Sequence, residues 1–295
     1  MDRGATIEPT PAPRTGEAPA GPAHALRLSV MLWTLGRELP FARRLEMVAE
    51  AGYRSVELVG EYTGWSDDDF RRANGKRRQL GITVDCVASA MIAPGRARHN
   101  ASDPRQRDEF LDDVRADLRT MEKLDCSGMI VMAGDLVPGL SPRAQYDTCV
   151  EILRRAGELA EAQGATVLLE NVDLEENPSY LARSAAEAFQ IVADVDHPHV
   201  QVCYDLYHAQ VSGGNLIANL ERHTDRVGKI HVSDVPGQHE PGTGEINFPN
   251  IYRKITELGY DGYVAMEFLP TGDPVATLAR AREAAVRSVN HQAVR

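Results

Sequence analysis

The chain predicts a single (β/α)8 TIM barrel preceded by a disordered N-terminal tail. Three observations carry this expectation. From residue 28 onward, eight short β-rich runs alternate with longer amphipathic segments. The runs recur about every thirty residues, the length of one strand–helix unit in a parallel α/β fold. No Gly-x-Gly-x-x-Gly turn follows the first run, whereas a doubly wound open sheet commonly has such a turn and fewer units. Eight units in a row close most simply into one barrel of about 250 residues. The division is then a tail over 1–25 and a barrel catalytic domain over 26–295.

The elements follow in order. A first strand covers 28–33, and Phe41, Leu45 and Val48 recur at helical spacing over 41–51, up to Gly52. Strand two is 55–59. Ser66 and Asp69 then form a reciprocal N-terminal cap for a helix that stops at Gly81. Strand three is 82–88. Asp103-Pro104 opens a helix to about residue 124, with proline where its missing N–H does no harm. Strand four is 128–133, and Ser141-Pro142 opens a helix that ends near Gly164. The second half repeats the pattern, with strands at 166–169, 200–204, 228–232 and 263–268. Its helices are expected at 185–193, 215–223, 249–258 and 274–289.

Composition sets limits on function. The 295 residues are 43% hydrophobic and 25% charged, enough for a large core, with a formal net charge of −11. An acidic surface argues against general affinity for nucleic acid or for an anionic membrane. The first 25 residues are rich in Ala, Pro, Gly and Thr and hold no apolar core of about 7 residues, so they read as a disordered tail and not a secretory signal. No apolar run of about 18 residues is present. Cys86, Cys126, Cys149 and Cys203 form no Cys-x-x-Cys pair and are expected to be reduced in a cytoplasmic protein.

The informative feature is where metal-binding residues fall. The runs Thr166-Val167-Leu168-Leu169-Glu170, Val200-Gln201-Val202-Cys203-Tyr204-Asp205, Val227-Gly228-Lys229-Ile230-His231 and Tyr263-Val264-Ala265-Met266-Glu267 each end on a potential ligand. One glutamate at a strand end is ordinary. Four ligands in register on successive strands converge at one rim once the barrel closes, and in such barrels the C-terminal rim carries the active site. Three carboxylates and an imidazole suit one divalent cation, such as Mn²⁺, Mg²⁺, Co²⁺ or Zn²⁺. Glu57 and Glu61, near the end of strand two, add acid at the same rim.

The ordered motifs also resemble a known group. Leu168-Leu169-Glu170-Asn171, Asp205-Leu206-Tyr207-His208, His231-Val232-Ser233-Asp234 and the stretch His239-Glu240-Pro241-Gly242-Thr243-Gly244-Glu245-Ile246-Asn247-Phe248 resemble the xylose isomerase-like barrel superfamily. The last stretch is most similar to the hydroxypyruvate isomerase family. The resemblance spans roughly residues 27–290. It implies an isomerase or epimerase of a small sugar or keto acid with one divalent metal, bound through Glu170, Asp205, His231 and Glu267. It also implies that the two glutamates act as an acid/base pair and that His208 binds substrate oxygen. Members of this branch often carry Gln where His231 stands, and Arg or Lys where Gln238 stands. The arginine that ketose epimerases use in that loop has no counterpart here. A homodimer or homotetramer is implied by the resemblance alone.

Such chemistry explains the residue types. Moving a carbonyl along a hydroxy-carbonyl compound requires removal of a proton from carbon and stabilisation of an enediolate. A cation supplies the charge stabilisation, and two carboxylates take and return the proton. Glu170 and Glu267 are assigned as the catalytic pair, and Asp205 and His231 as ligands only. The expected substrate resembles hydroxypyruvate or tartronate semialdehyde. Its carboxylate would find donors in Arg96, Arg98 and His99 after strand three, while Trp33 at the rim would pack against it. Trp65 lies on the loop after strand two. Other readings of the same residues are a ketose 3-epimerase or a sugar or oxo-tetronate isomerase of a biosynthetic pathway. An endonuclease IV-like phosphodiesterase and a non-catalytic sugar-binding barrel are more distant ones.

Overall fold

The computed structural model of the chain describes residues 25–89 and 99–290. Residues 1–24, which hold nearly all of the expected tail, lie outside them. The strands are β1 (Arg27–Met31), β2 (Ser55–Val59), β3 (Thr83–Ala88), β4 (Gly128–Val131), β5 (Thr166–Glu170), β6 (Val200–Asp205), β7 (Val227–Val232) and β8 (Tyr263–Met266). All pair in parallel, each with the next, and β8 returns to β1, so the barrel is closed. The helices are α1 (Phe41–Glu50), α2 (Asp67–Gln79), α3 (Arg107–Leu124), α4 (Pro142–Glu161), α5 (Ala185–Val195), α6 (Leu206–Ser212), α7 (Leu216–His223), α8 (Phe248–Glu257) and α9 (Pro274–Asn290). No helix among the described residues is long and apolar enough to cross a membrane.

Local signals act as expected at the helix starts. Ser66 and Asp69 form the reciprocal cap of α2, and Ser141 caps α4 with proline in the first turn. Several ends differ. β1 stops at Met31, and Leu32–Leu35 turns into a 3-10 helix that carries Trp33 off the strand. Pro104–Gln106 is also a 3-10 turn, so α3 starts three residues beyond the proline. β4 and β8 stop two residues before their expected ends. The short helix α6 was not anticipated. It starts directly at the end of β6, with Asp205 as its N-cap, and is too short to show a periodic pattern.

Side chains alternate along the strands, with a break at Asp85-Cys86 in β3, and this produces two apolar layers. Val30, Val56, Val87, Met129, Val167, Val202 and Val264 face the helices and belong to the large outer core. Met31, Val59, Cys86, Ala88, Ile130, Leu168 and Cys203 form a separate buried cluster inside the barrel. All four cysteines are free thiols. The interior is not wholly apolar, for Ser29, Ser55, Glu57, Asp85, Lys229 and His231 are buried in it as well.

Candidate active site

The barrel brings the four predicted ligands together. Glu170 and Asp205 are the last residues of β5 and β6, His231 is the penultimate residue of β7, and Glu267 directly follows β8. Asp205 and His231 face each other in the β6–β7 register. One ligand atom from each of the four residues falls within 4.8 Å of the others. Glu267 is tied down by its backbone N–H, which donates to the Val232 carbonyl at 3.0 Å.

The imidazole of His231, fully buried, is the centre of the arrangement. Its Nδ1 lies 3.0 Å from Glu170 Oε1, 2.6 Å from Glu267 Oε2 and 3.8 Å from Asp205 Oδ2. Its Nε2 lies 3.0 Å from Glu57 Oε2. One nitrogen cannot satisfy three carboxylates. Asp205 Oδ2 is buried without a hydrogen-bond partner among the described residues, and Glu267 Oε2 has the close approach of His231 Nδ1 without hydrogen-bond alignment. Burial pushes the Glu267 carboxyl up to about 8, and the neighbouring Glu170 and Asp205 push the same way against the pull of His231. Buried acceptors of like charge aimed at one point are what a cation would satisfy, and their hard oxygen and nitrogen donors match a divalent ion. Cys203 Sγ is also near Glu170 and His231. Burial pushes its thiol far above the ordinary range, and it packs in the inner apolar cluster as a small hydrophobe.

Asp205 serves two ends. Its Oδ1 accepts the His208 backbone N–H at 2.7 Å and so caps α6, which leaves Oδ2 for the site. Asn171 holds the Asp205 backbone from both sides, donating to its carbonyl and accepting from its N–H, each at 3.1 Å. That cap points α6 so that His208 faces the rim. His208 Nδ1 lies 2.7 Å from Asp173 Oδ2. Burial lowers the affinity of His208 for a proton, but Asp205, Asp173 and Glu170 outweigh this and carry it to about 10.

Above these residues opens a cavity of about 610 Å³, lined among others by Trp33, Arg37, Glu170, His208, Gln238 and Glu267. Trp33 therefore stands where expected, although on a turn and not a strand. His99 is not among the lining residues; its Nδ1 lies 2.5 Å from Asp113 Oδ2 on α3. Arg96 and Arg98 lie outside the described residues. The rim acids of β2 part ways, because Glu57 turns inward to His231 while Glu61 pairs with Arg44 at 2.9 Å. Trp65 packs edge-on between Phe41 and Phe70, away from the cavity.

Of the cavity residues, Arg37 has no signal in the sequence, and Gln238 is marked there only as a departure from the family pattern. Arg37 donates to the Val59 carbonyl at 2.8 Å and lies over the Trp33 ring, 5.9 Å from its centre. Gln238 reaches the cavity from a left-handed backbone position, with φ of 56°. Its loop is organised by Asp234, whose carboxylate accepts the backbone N–H groups of Val235, Gly242, Gly244 and Ile246. The Pro-Gly-Thr-Gly stretch is thus a cradle for one aspartate.

A closed eight-stranded barrel with a four-residue candidate metal group at its C-terminal rim defines the class of protein. The family model described as xylose isomerase-like TIM barrel matches residues 45–288, and the chain belongs to that family. It is 32% identical over 253 residues to 2-oxo-tetronate isomerase of Pectobacterium atrosepticum, covering 85% of this chain and 93% of that one. It is 28% identical over 245 residues to hydroxypyruvate isomerase of Escherichia coli K12, with 83% and 94% covered. A crystal structure described as AP endonuclease, family 2, from Brucella melitensis superimposes with a TM-score of 0.79 at 30% identity, covering 88% of this chain and 99% of that one. The isomerase expected from the motifs agrees with the names of both curated relatives.

Proposed function

We propose that this protein is a divalent-metal-dependent isomerase of short hydroxy-carbonyl acids, of the hydroxypyruvate or oxo-tetronate type. The observation that carries the proposal is the set of three carboxylates around His231 Nδ1, two of which, Glu170 and Glu267, also line the cavity. Glu170, Asp205, His231 and Glu267 would hold the cation, which when bound supplies Lewis-acid stabilisation of charge developing on substrate oxygens.

The chain's own residues supply the rest. One glutamate takes the proton from the carbon that bears the hydroxyl, and the electron pair moves toward the carbonyl to give an enediolate. The other glutamate returns a proton to the former carbonyl carbon, while the hydroxyl proton passes to the former carbonyl oxygen, so that the old hydroxyl becomes the new carbonyl. Protons and electrons balance, and no oxidant is needed. His208, held through Nδ1 by Asp173, faces the cavity and would meet a substrate oxygen there. Arg37 is the only Lys or Arg lining the cavity among the described residues. It suits the carboxylate of a keto acid and favours that class over a neutral ketose.

A nuclease reading fits less well. The described residues group potential ligands only around Glu170 and His231, and the chain carries a net charge of −11, whereas binding to a polyanion calls for clustered cations.

The test is proton NMR in D₂O on the Mn²⁺-reconstituted protein with hydroxypyruvate, an oxo-tetronate and neutral ketoses. Solvent deuterium should enter the carbon next to the carbonyl of a keto acid, with product formed. Exchange with ketoses alone would remove the keto-acid assignment. No exchange with any of them would remove the isomerase.

A further inference from the structure

Behind His231, on the side away from the cavity, the barrel interior holds a chain of charges that the catalytic reading leaves unused. Glu57 Oε2 receives His231 Nε2 at 3.0 Å and Lys229 Nζ at 2.9 Å. Lys229 Nζ also contacts Asp85 Oδ2. Asp85 Oδ1 in turn accepts the hydroxyls of Ser29 at 2.6 Å and Ser55 at 3.0 Å. Glu57 is fully buried, Lys229 is 1% exposed, and none of Glu57, Asp85 and Lys229 lines the cavity.

We propose that Glu57 is a positioning residue that fixes His231 in the tautomer whose bare Nδ1 faces the cation, with Lys229 and Asp85 locking Glu57 in turn. The inference rests on the metal reading given above. It follows from the polarity of the donors. An ammonium group only donates, so both carboxylates around Lys229 must accept. Glu57 Oε2 then has only acceptor capacity to offer His231, and Nε2 must carry the hydrogen. The remaining lone pair is on Nδ1, the nitrogen that faces Glu170, Asp205 and Glu267. A carboxylate behind a ligating histidine generally fixes its tautomer and raises its basicity. Buried ion pairs of this kind are weak devices for stability, since apolar residues of equal volume commonly do as well. Their place in line with His231 points to orientation instead.

The experiment uses the full-length protein. Mn²⁺ affinity is measured by calorimetry for wild type and Glu57→Gln, with circular dichroism confirming that the variant is folded. Gln keeps the volume but loses the charge: Lys229 and His231 both contact Oε2, so an amide oxygen in that place accepts from both more weakly than a carboxylate does. The variant should bind Mn²⁺ about 10- to 100-fold more weakly. Separately, ¹⁵N-histidine NMR of the Zn²⁺-loaded wild type should show His231 with Nε2 protonated and Nδ1 as the ligand atom. Equal affinity in a folded Glu57→Gln, or coordination through Nε2, overturns the inference. The second measurement decides by itself if the variant does not fold. A wild type that binds neither ion overturns the metal reading and this inference with it.

Discussion

Asp205 shows how one side chain can cap a helix and also face a candidate metal site. Its Oδ1 caps α6 and its Oδ2 faces His231, so the cap and the candidate ligand are different atoms of one carboxylate. Asp205→Asn should keep the cap and the melting temperature but weaken Mn²⁺ binding in calorimetry, whereas Asp205→Ala should also lose about 1 kcal/mol of stability. Unchanged affinity in the Asn variant would take Asp205 out of the ligand set. At the proposed acid/base pair, Glu267→Gln and Glu170→Gln should each reduce kcat by about 10²- to 10⁴-fold with the circular dichroism spectrum preserved. Near-normal turnover in either would remove that residue from proton transfer. The four candidate ligands are legible because strand ends are easy to see in a sequence and the barrel rim is where they must meet. Glu61 and His99 were not resolved in the same way, since their partners Arg44 and Asp113 come from helices packed outside the barrel. Nothing in the spacing of the chain announces those pairs.

At the scale of the element, the loop after β7 is built around one aspartate and brings Gln238 to the cavity. Asp234 gathers four backbone N–H groups of that loop, and Val235-Pro236 within it is a cis peptide. Gly244 is required there for space, because a Cβ at that position would collide with the Val235 carbonyl. Gly244→Ala should therefore open the loop and displace Gln238, raising KM in steady-state kinetics more than it lowers kcat, while the barrel still unfolds cooperatively. An unaltered KM would show that the loop does not shape the cavity. The cap of α2 by Ser66 and Asp69 was readable because it depends on neighbours in sequence alone. The helix α6 was not, because its existence depends on β6 ending at a buried aspartate.

For the whole molecule, the consequence of the site is a charge imbalance that a cation should relieve. A ligand that binds only the folded state at 100-fold excess over its Kd adds about 2.7 kcal/mol, which for a domain of this size is roughly 5–10 °C in Tm. Mn²⁺ should raise the melting temperature by that order in differential scanning calorimetry, and a chelator should reverse it. A Tm indifferent to both would mean that no cation sits among these carboxylates. The same scale decides what was legible. Eight repeating units, the parallel order and the rim as the place of chemistry were determined by the sequence itself, because strand length, helix periodicity and cap residues are local properties. Which polar residues enter the barrel was decided only by the tertiary structure. Between Val56 and Glu57 the β2–β3 register slips, so that Val56 faces Val84 while Glu57 faces Cys86. Asp85 and Cys86 consequently both point inward, against simple alternation, and Asp85 meets Lys229 from the opposite wall. A pairing between residues 144 positions apart, made across register shifts in β2–β3 and β6–β7 and by closure of the sheet on itself, has no local signature.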